Sequence, residues 1–444
     1  MKARLLMMLV LLAWQAPNRL TASVVTNVAA GGLSSFLIKS DGTLWAAGNN
    51  AYGQLGDGTY NSPAYRFEQV RTNFTVLVAS GSQHTLVVNS SGSVGAVGDD
   101  NFGDLGDGST NPENTMQWIP GIPTGISSIA CGTFHSMFVQ KKGVLYGMGY
   151  NASGQLGDGT LTNTNKPEQI ATGVAKVACS ANATFYLTTN TALWTMGILN
   201  GLTYGIGYRA VPTVSTGVVA VAGGTQHALF IKTDNSLWAF GANKSGQLGD
   251  GTTNSASGAK QIVASNVVAV TCGGTASFFL KTDGSLWAMG LNNDGQLGDG
   301  TTNNALLPEK IVAGDVAAVA AGVAHTVFLK TDGTVWGMGN DAVTELGDGF
   351  TNAIVTTPQL IYPVPPPVLN SGVVAATNLQ FSATCPQGGT YYLLASTNLG
   401  LPLNQWTRRA TNVIRDRYNN VYSVTLTNML PGTDAPGFFV LQSF

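Results

Sequence analysis

The sequence predicts an all-β protein: a seven-bladed β-propeller followed by a small C-terminal β-sandwich-like module. One repeat, clearest at residues 274–303, returns seven times with a period of about 44 to 51 residues, the spacing typical of propellers and solenoids. Each copy divides into short apolar runs separated by turn residues, and no stretch has the periodicity of an amphipathic helix. The repeat therefore predicts the architecture of the protein directly. Its activity can be inferred only by excluding other classes of function.

The chain opens with the features of an export signal. Lys2 and Arg4 precede an apolar run at residues 5–13, and small residues suited to cleavage follow at residues 21–23. The apolar run is shorter than the roughly 20 residues that a membrane-spanning helix needs. We therefore expect a signal peptide over residues 1–23, a secreted or cell-surface location and no membrane span. A buried N-terminal helix is the alternative.

The charge content disfavours nucleic acid as a partner. Charged residues make up 10% of the chain, against roughly 25% in ordinary soluble domains, and the formal net charge is −2. A nucleic-acid binder needs a face of lysine and arginine to neutralise phosphates, and no run of the sequence supplies one.

Residues 24–362 predict seven blades, each of four antiparallel strands. The sixth copy shows the strands as apolar runs at residues 267–270, 278–281, 286–289 and, more weakly, 310–312. Asp283-Gly284 predicts a two-residue type I′ hairpin, a turn that needs positive φ at both central residues. Two copies depart from the pattern: the second has Gly95 in place of the aromatic residue, and the fourth lacks the GQLGDG string.

Beyond the repeats we expect a Pro-rich linker at residues 363–370 and a small all-β module at residues 371–444, where alternating runs are separated by turn-rich segments. The module places four arginines close together in a chain otherwise poor in charge: Arg408, Arg409, Arg415 and Arg417. Arginine binds anionic groups bidentately, so these residues are candidates for binding an anionic polymer. A solvated hairpin face is the competing interpretation.

The repeat carries a long ordered pattern: VAAG, then HT and an apolar run, LKTDG, (L/V)W, G-x-N and GQLG. In this order it resembles the repeat of the regulator of chromosome condensation family, over about residues 24–362. The resemblance implies a seven-bladed β-propeller, in agreement with the count of seven copies. The founding member is a nuclear exchange factor for a small GTPase that also docks on nucleosomes. Secreted bacterial members, among them an inhibitor of β-lactamases, bind partners through loops on one face, and the export signal favours that setting.

Most conspicuous side chains fall at equivalent positions of several repeats, which indicates a structural role. The histidines share one position: His84, His135, His227 and His325. Positions related by blade rotation form a ring, whereas a metal needs ligands about 2 Å from one point. We expect buried imidazoles bonded to backbone. The cysteines Cys131, Cys179 and Cys272 also share a position, one that requires a small side chain, and we expect no disulfide among them.

Two further repeated sets receive structural interpretations. The aspartates of the LGDG strings are expected to stabilise Asx turns, because each string offers one carboxylate where calcium wants six or more ligands. They are Asp57, Asp107, Asp158, Asp250, Asp299 and Asp348. The aromatic anchors are expected in the blade core. They are Trp45, Tyr146, Trp194, Trp238, Trp287 and Trp336.

Aromatic residues outside the repeat rule are the better candidates for partner contact, because exposed loop aromatics are typical interface anchors. They are Tyr52, Phe102 and Tyr150 in the long loops, and Tyr204 and Tyr208 in the aberrant fourth repeat. Packing within the loops is the competing interpretation.

The leading hypothesis is a secreted, non-enzymatic, monomeric protein whose propeller loops bind a protein or an extracellular polymer. No catalytic, cofactor-binding or metal-binding residue is predicted, because the sequence contains no nucleophile elbow, phosphate loop, HExxH or CxxC string. One alternative is a secreted carbohydrate-active enzyme with its site in the propeller channel. Another is a purely structural cell-surface protein.

Overall fold

A computed structural model describes residues 23–362, except positions 73, 123, 200–201, 205–208 and 352–353, and beyond them the backbone of several C-terminal strands. The predicted signal peptide lies outside the described residues, apart from Ser23. The described residues form strands and turns and no helix. None of them therefore belongs to a helix that could cross a membrane.

The strands are numbered in chain order. Blades 1 and 2 consist of β1 (Val25–Ala30), β2 (Ser34–Lys39), β3 (Leu44–Gly48), β4 (Ala64–Arg71), β5 (Thr75–Ser80), β6 (His84–Asn89), β7 (Val94–Gly98) and β8 (Glu113–Trp118). Blades 3 and 4 consist of β9 (Ile126–Cys131), β10 (His135–Gln140), β11 (Leu145–Gly149), β12 (Thr164–Ala171), β13 (Val174–Cys179), β14 (Ala183–Thr188), β15 (Leu193–Leu199), β16 (Leu202–Tyr204) and β17 (Val211–Val214).

Blades 5 to 7 continue the series. They consist of β18 (Val218–Gly223), β19 (His227–Lys232), β20 (Leu237–Gly241), β21 (Ala256–Val263), β22 (Val267–Gly273), β23 (Ala276–Lys281), β24 (Leu286–Gly290), β25 (Ala305–Val312), β26 (Val316–Ala321), β27 (His325–Lys330), β28 (Val335–Asn340) and β29 (Ile354–Tyr362). The C-terminal strands are β30 (Val368–Ala375), β31 (Asn378–Thr384), β32 (Thr390–Ser396), β33 (Thr407–Val413), β34 (Val421–Leu426) and β35 (Phe438–Ser443).

Each blade is an antiparallel sheet of strands consecutive in the chain, as in the order β1-β2-β3-β4. This confirms the predicted all-β propeller of seven blades. The first strand of each blade borders the central channel and the fourth forms the exposed outer edge. The fourth strand is longer than the sequence suggested: in blade 6 it spans Ala305–Val312 rather than 310–312, because register shifts let it pair with β24 over its whole length.

Blade 4 differs at its outer edge. Instead of one fourth strand, β16 pairs with the end of β15 and β17 pairs with its start. The altered loop of the fourth repeat therefore divides the edge strand into β16 and β17. The three inner strands of the blade, whose side chains form the hydrophobic core, are unchanged.

The turn between the second and third strands differs from the predicted type. In blade 6, Gly284 N donates to Lys281 O (2.9 Å) and Lys281 N donates to Ser285 O (3.1 Å), so that three residues form the loop. Gly284 has a positive φ of 75°, and Asp283 does not have one. This is a type I turn followed by a left-handed residue. The predicted type I′ turn is wrong, because only the glycine adopts positive φ.

The hydrophobic core lies between neighbouring blades. Phe278, Leu280 and Leu286 of blade 6 pack with Phe328 and Met338 of blade 7, and all five are at most 3% exposed. The second glycine of three of the four GQLG strings lies against a methionine of the next blade, as at Gly157, Gly249 and Gly298. At Gly298 (φ +79°), a Cβ atom would lie 2.1 Å from Met338 Sδ, so close packing and backbone conformation both select glycine there.

The ring closes between blades 7 and 1 through side-by-side contacts. Val323 N donates to Gly32 O (3.1 Å) near the channel mouth. Farther out, Thr344 Oγ1 donates to Ala64 O (2.9 Å). Because both terminal blades are built from consecutive strands, closure needs no exchange of a strand between the two ends of the propeller.

The C-terminal segment is described by its strands. One antiparallel sheet has the order β30-β31-β34 and a second has the order β33-β32-β35. Strand β30 begins at Val368, within the residues expected as a linker. The β-sandwich stays a prediction, because the side chains that would pack between the two sheets lie outside the described residues.

Candidate functional site

The central channel is narrow and lined by small side chains and backbone. Its cavity measures about 390 Å³ and is bordered by the ends of the first strands, with residues such as Ala30, Ser80, Gly132, Gly223 and Ala321. Within the described part of the chain, the residues bordering this cavity include no aspartate, glutamate or histidine. Glycoside hydrolysis uses a pair of carboxyl groups, so the channel wall offers no basis for it.

Three free thiols border the channel, from Cys131, Cys179 and Cys272. Each is half-buried, and Cys131 Sγ lies 3.4 Å from Ala79 O of the preceding blade. The dense surroundings raise the pKa of Cys179 and Cys272 to about 12, and that of Cys131 well above its ordinary value. Because the thiolate is the reactive form, these cysteines are packing residues rather than nucleophiles.

The four histidines form links between blades. Each imidazole Nε2 lies 2.8–3.0 Å from a hydroxyl on the second strand of the next blade. The pairs are His84–Ser136, His135–Thr184, His227–Ser277 and His325–Ser35. The histidines are buried as predicted, but Nε2 of each one bonds to a side chain of the neighbouring blade rather than to the expected backbone group.

The hydroxyl partner fixes the protonation of the ring. Ser277 Oγ donates its hydrogen to Gln247 O at 2.7 Å, so it accepts a hydrogen bond from His227 Nε2. Burial lowers the pKa of His227 to about 4, and it lowers the pKa of His84 and His325 to about 4 and that of His135 to about 3. The imidazoles are therefore neutral near pH 7 and hold blades together instead of transferring protons.

The repeated tryptophans lie at the surface of the core. All six aromatic anchors are half-buried, which corrects the expectation of core residues: Trp45, Tyr146, Trp194, Trp238, Trp287 and Trp336. In blade 6, the Trp287 ring stacks on Phe279 with centroids 6.0 Å apart, and Lys281 Nζ lies 4.2 Å from the ring centroid. The lysine of the LKTDG string therefore covers the outer face of the indole with a cation–π contact.

The same string also satisfies the indole nitrogen. Trp287 Nε1 donates to Ser285 Oγ (2.9 Å), and Asp283 Oδ1 accepts from Ser285 N (2.9 Å). The bonds to Ser285 lower the pKa of Asp283, so the carboxylate stays ionised. The pattern K-T-D-G-S-L-W is thus one hydrogen-bonded unit of the blade.

We expect Ser285→Ala to lower the free energy of unfolding by about 1 kcal/mol, because it leaves the half-buried indole N–H without its acceptor. Urea unfolding monitored by tryptophan fluorescence measures this change. Ser93→Ala is the matched control, since blade 2 has Gly95 in place of the tryptophan and should lose less. Equal losses in the two variants would contradict the role of the indole bond.

The LGDG aspartates form the predicted Asx turns. Asp57 Oδ1 accepts from Thr59 N (2.8 Å) and from Asn50 Nδ2 (3.0 Å). Equivalent bonds to the backbone recur at Asp107, Asp158, Asp250, Asp299 and Asp348. In the part of the chain that the structure describes, no group of three or more His, Cys, Asp or Glu side chains is arranged to hold a metal.

Two of the predicted contact aromatics come together on the loop face of blades 2 and 3. The Phe102 ring lies 4.9 Å from Tyr150 and 5.2 Å from Phe134, centroid to centroid, and all three side chains are half-buried. We call these three residues the aromatic cluster. Phe102 also borders a cleft of about 360 Å³ together with Asn101 and Glu168. Tyr52 occupies the position equivalent to Phe102 in blade 1 and is 38% exposed.

The sequence interpretation missed Phe134. It precedes His135, and the residue before that position in other blades is Leu33, Gln83, Asn182, Gln226, Thr275 or Ala324. Aligning the repeats at that turn would have shown the substitution.

The remaining predicted contact residues lie at or beyond the limits of the described structure. Tyr204 ends β16 and its side chain lies outside the described residues, as does Tyr208 entirely. Arg408 and Arg409 are on β33, whose side chains are not described, and Arg415 and Arg417 lie outside the described residues. The proposed arginine face therefore stays a prediction.

Comparison with solved structures shows the same fold in distant proteins. Human WBSCR16 is 22% identical with a TM-score of 0.63, over 69% of this chain and 87% of that one. Prp20p from Saccharomyces cerevisiae, whose structure was described together with its binding to Gsp1p and histones, is 19% identical with a TM-score of 0.65, over 77% of this chain and 88% of that one. At these identities the likeness concerns the fold.

Two family profiles, both described as the regulator of chromosome condensation (RCC1) repeat, match the chain. The first matches residues 41–88, 142–187, 234–280 and 283–329. The second matches residues 25–54, 126–155, 218–247, 267–296 and 316–343. Together these segments include more than half of the sequence, and each falls on the blades described above. The chain therefore belongs to the regulator of chromosome condensation (RCC1) repeat family.

Proposed function

We propose that this protein is a secreted, non-enzymatic binding protein whose propeller presents its loop face to a protein partner. The observation that carries the proposal is the aromatic cluster of Phe102, Phe134 and Tyr150, which lies half-exposed beside a cleft of about 360 Å³. Large rigid rings that are partly open to solvent are typical anchors of protein interfaces. The RCC1-like fold is compatible with such a role, as the description of Prp20p with Gsp1p and histones illustrates for that protein.

The groups that could perform chemistry support binding over catalysis. The four imidazoles are buried, neutral and bonded to hydroxyl groups, and the three channel thiols stay protonated. A general base needs a pKa near the working pH and access to substrate, and these imidazoles have neither. The proposal of a channel enzyme therefore receives no support from the residues that line the channel.

The setting of the proposed function comes from the sequence. The charged, apolar and small-residue segments of residues 1–23 support export, and the arginine-rich β33 region supports a second contact with an anionic polymer outside the cell. The low content of charged residues favours recognition of the partner through neutral and aromatic groups.

Retention of a partner by variants of the full chain tests the binding face. We expect Phe102→Ala/Tyr150→Ala to reduce retention of a culture-supernatant or envelope partner at least about tenfold, because interface anchors contribute 2 kcal/mol or more. Tyr65→Ala is the matched control: Tyr65 is 52% exposed on β4, at the outer edge, and its loss should leave retention unchanged.

Two results would overturn the proposal. One is equal retention of the partner by the double variant and the wild type, provided that both have the same melting temperature. The other is turnover of a polysaccharide by the wild-type chain that survives the aromatic substitutions, which would favour an enzyme.

A further inference from the structure

The long loop of blade 2 has aspartate at positions where the long loop of blade 1 has asparagine or glutamine. In blade 1, Gln54 Nε2 donates to Asn49 Oδ1 at 3.0 Å. In the same loop, Asn50 Nδ2 donates to Asp57 Oδ1 at 3.0 Å. The loop of blade 2 has aspartate at all four equivalent positions, Asp99, Asp100, Asp104 and Asp107. Both donor–acceptor pairs of blade 1 therefore become pairs of carboxyl groups.

Three of these aspartates are buried: Asp99 is 2% exposed, and Asp100 and Asp104 are 0% exposed. Asp100 is well satisfied, because its oxygens accept from Leu105 N (2.8 Å) and Ser109 Oγ (3.3 Å). Asp104 is not: neither of its carboxyl oxygens accepts a hydrogen bond of normal geometry, although the backbone N–H of Tyr150 lies close enough to lower its pKa in part, and Asp99 Oδ2 also has no partner. Buried carboxyl oxygens left in this way cost free energy unless another group compensates them.

Protonation is one way in which the protein could compensate Asp104. Burial, followed by the charges of Asp100 and Asp99, raises the pKa of Asp104 to about 9, so protonation would remove its charge. The resulting O–H would be a buried donor that needs an acceptor of its own.

We propose that the blade 2 loop binds a hard divalent cation between Asp99 and Asp104, where blade 1 holds the amide of Gln54. Such a cation neutralises both carboxylates and coordinates the oxygens that the protein leaves without partners. Calcium fits this donor set best, because it accepts carboxylate, carbonyl and water oxygens in flexible geometry.

The Asp104 carboxylate lies against blade 3. Asp104 Oδ1 approaches Gly149 of blade 3 so closely that a Cβ atom at Gly149 would lie 2.6 Å from it. No group of three acidic, histidine or cysteine side chains is arranged for a metal within the described residues, so the remaining ligands of the proposed cation would have to be loop carbonyls and water. The cation would then join the loop of blade 2 to blade 3 beside Gly149.

Calcium titration of the full chain tests the site. After treatment with a chelator, we expect isothermal titration to show one calcium bound per chain, and the melting temperature to rise by about 2 °C or more in calcium. Asp99→Asn/Asp104→Gln restores the residues of blade 1, and this variant should neither bind calcium nor respond to it. Glu345→Gln is the matched control, because Glu345 occupies the position of Asp104 in blade 7, and this variant should bind like the wild type.

Absence of calcium binding by the wild-type chain at millimolar concentration would overturn the proposal, as would equal binding by the wild type and the Asp99→Asn/Asp104→Gln variant. If the double variant does not fold, equilibrium dialysis of the wild-type chain against calcium tests the site alone. A stoichiometry of zero calcium ions per chain would contradict the proposal. Stabilisation of the wild type by mild acid without any effect of calcium would show that protons, not a cation, compensate the aspartates.

Discussion

Lowering the pH from about 6.5 to about 4 is expected to destabilise the propeller through its four buried histidines. The ordinary pKa of histidine is 6.5, and burial lowers the pKa of His84, His227 and His325 to about 4 and that of His135 to about 3. Between these values the unfolded chain binds protons that the folded chain does not. The contribution of the histidines to the free energy of unfolding therefore rises with pH across this window. The same contribution is lost progressively as the pH falls below 6.5.

One histidine variant isolates the effect from the aspartates of blade 2, whose raised pKa values act in the opposite direction. We expect His227→Ala to reduce the loss of unfolding free energy between pH 6.5 and pH 4 by about 3 kcal/mol, because about 2.5 pKa units are worth roughly 1.4 kcal/mol each. Chemical denaturation at several pH values measures the difference.

Alanine is a natural choice at this position, because Ala276 occupies it in blade 6, where Thr326 of the next blade keeps its bond to Gln296 O (3.0 Å). Ser277→Ala is the control: it removes the hydroxyl partner of His227 but keeps the buried imidazole, so the pH dependence should persist while stability falls at every pH. Identical pH dependence in the wild type and His227→Ala would contradict the assignment.

Gly322→Ala is expected to lower the free energy of unfolding by about 3 kcal/mol or more, because it overfills the closure of the ring. A Cβ atom at Gly322 would lie 2.2 Å from His325 Cε1 and 2.4 Å from Gly31 O. The first contact belongs to the histidine link and the second to the backbone of blade 1, so neither neighbour can move aside cheaply. Differential scanning calorimetry measures the loss.

The control is Gly258→Ala on the exposed part of β21, where a Cβ atom would meet nothing within 4 Å. This change should be neutral or slightly stabilising, because alanine restricts the unfolded chain. A melting temperature of Gly322→Ala equal to that of Gly258→Ala would show that the blades are not packed at the closure as described.

The sequence predicted what depends on repetition. Seven copies of one pattern indicated seven blades, and residues at equivalent positions, such as His227 and Asp299, proved to have the same contacts in several blades. Repetition works as evidence because a side chain that recurs at each rotation must serve contacts that also recur.

Details that depend on three-dimensional neighbours could not be predicted. The sequence of Asp283-Gly284 is compatible with two hairpin types, and the registry of the flanking strands selects one of them. The partner of His227 lies 50 residues away on the next blade, so spacing within one repeat contains no information about it. The same holds for the aromatic cluster, where Phe134 meets Phe102 only because blades 2 and 3 are adjacent.

The most direct test of binding through the loop face is photo-crosslinking from position 102. A photoreactive phenylalanine analogue in place of Phe102 keeps an aromatic ring in the cluster, and the same analogue at the exposed position 258 on the outer edge serves as the control. We predict a partner that crosslinks from position 102 and not from position 258. A partner that the wild-type chain retains but that crosslinks only from position 258 would contradict binding through the loops.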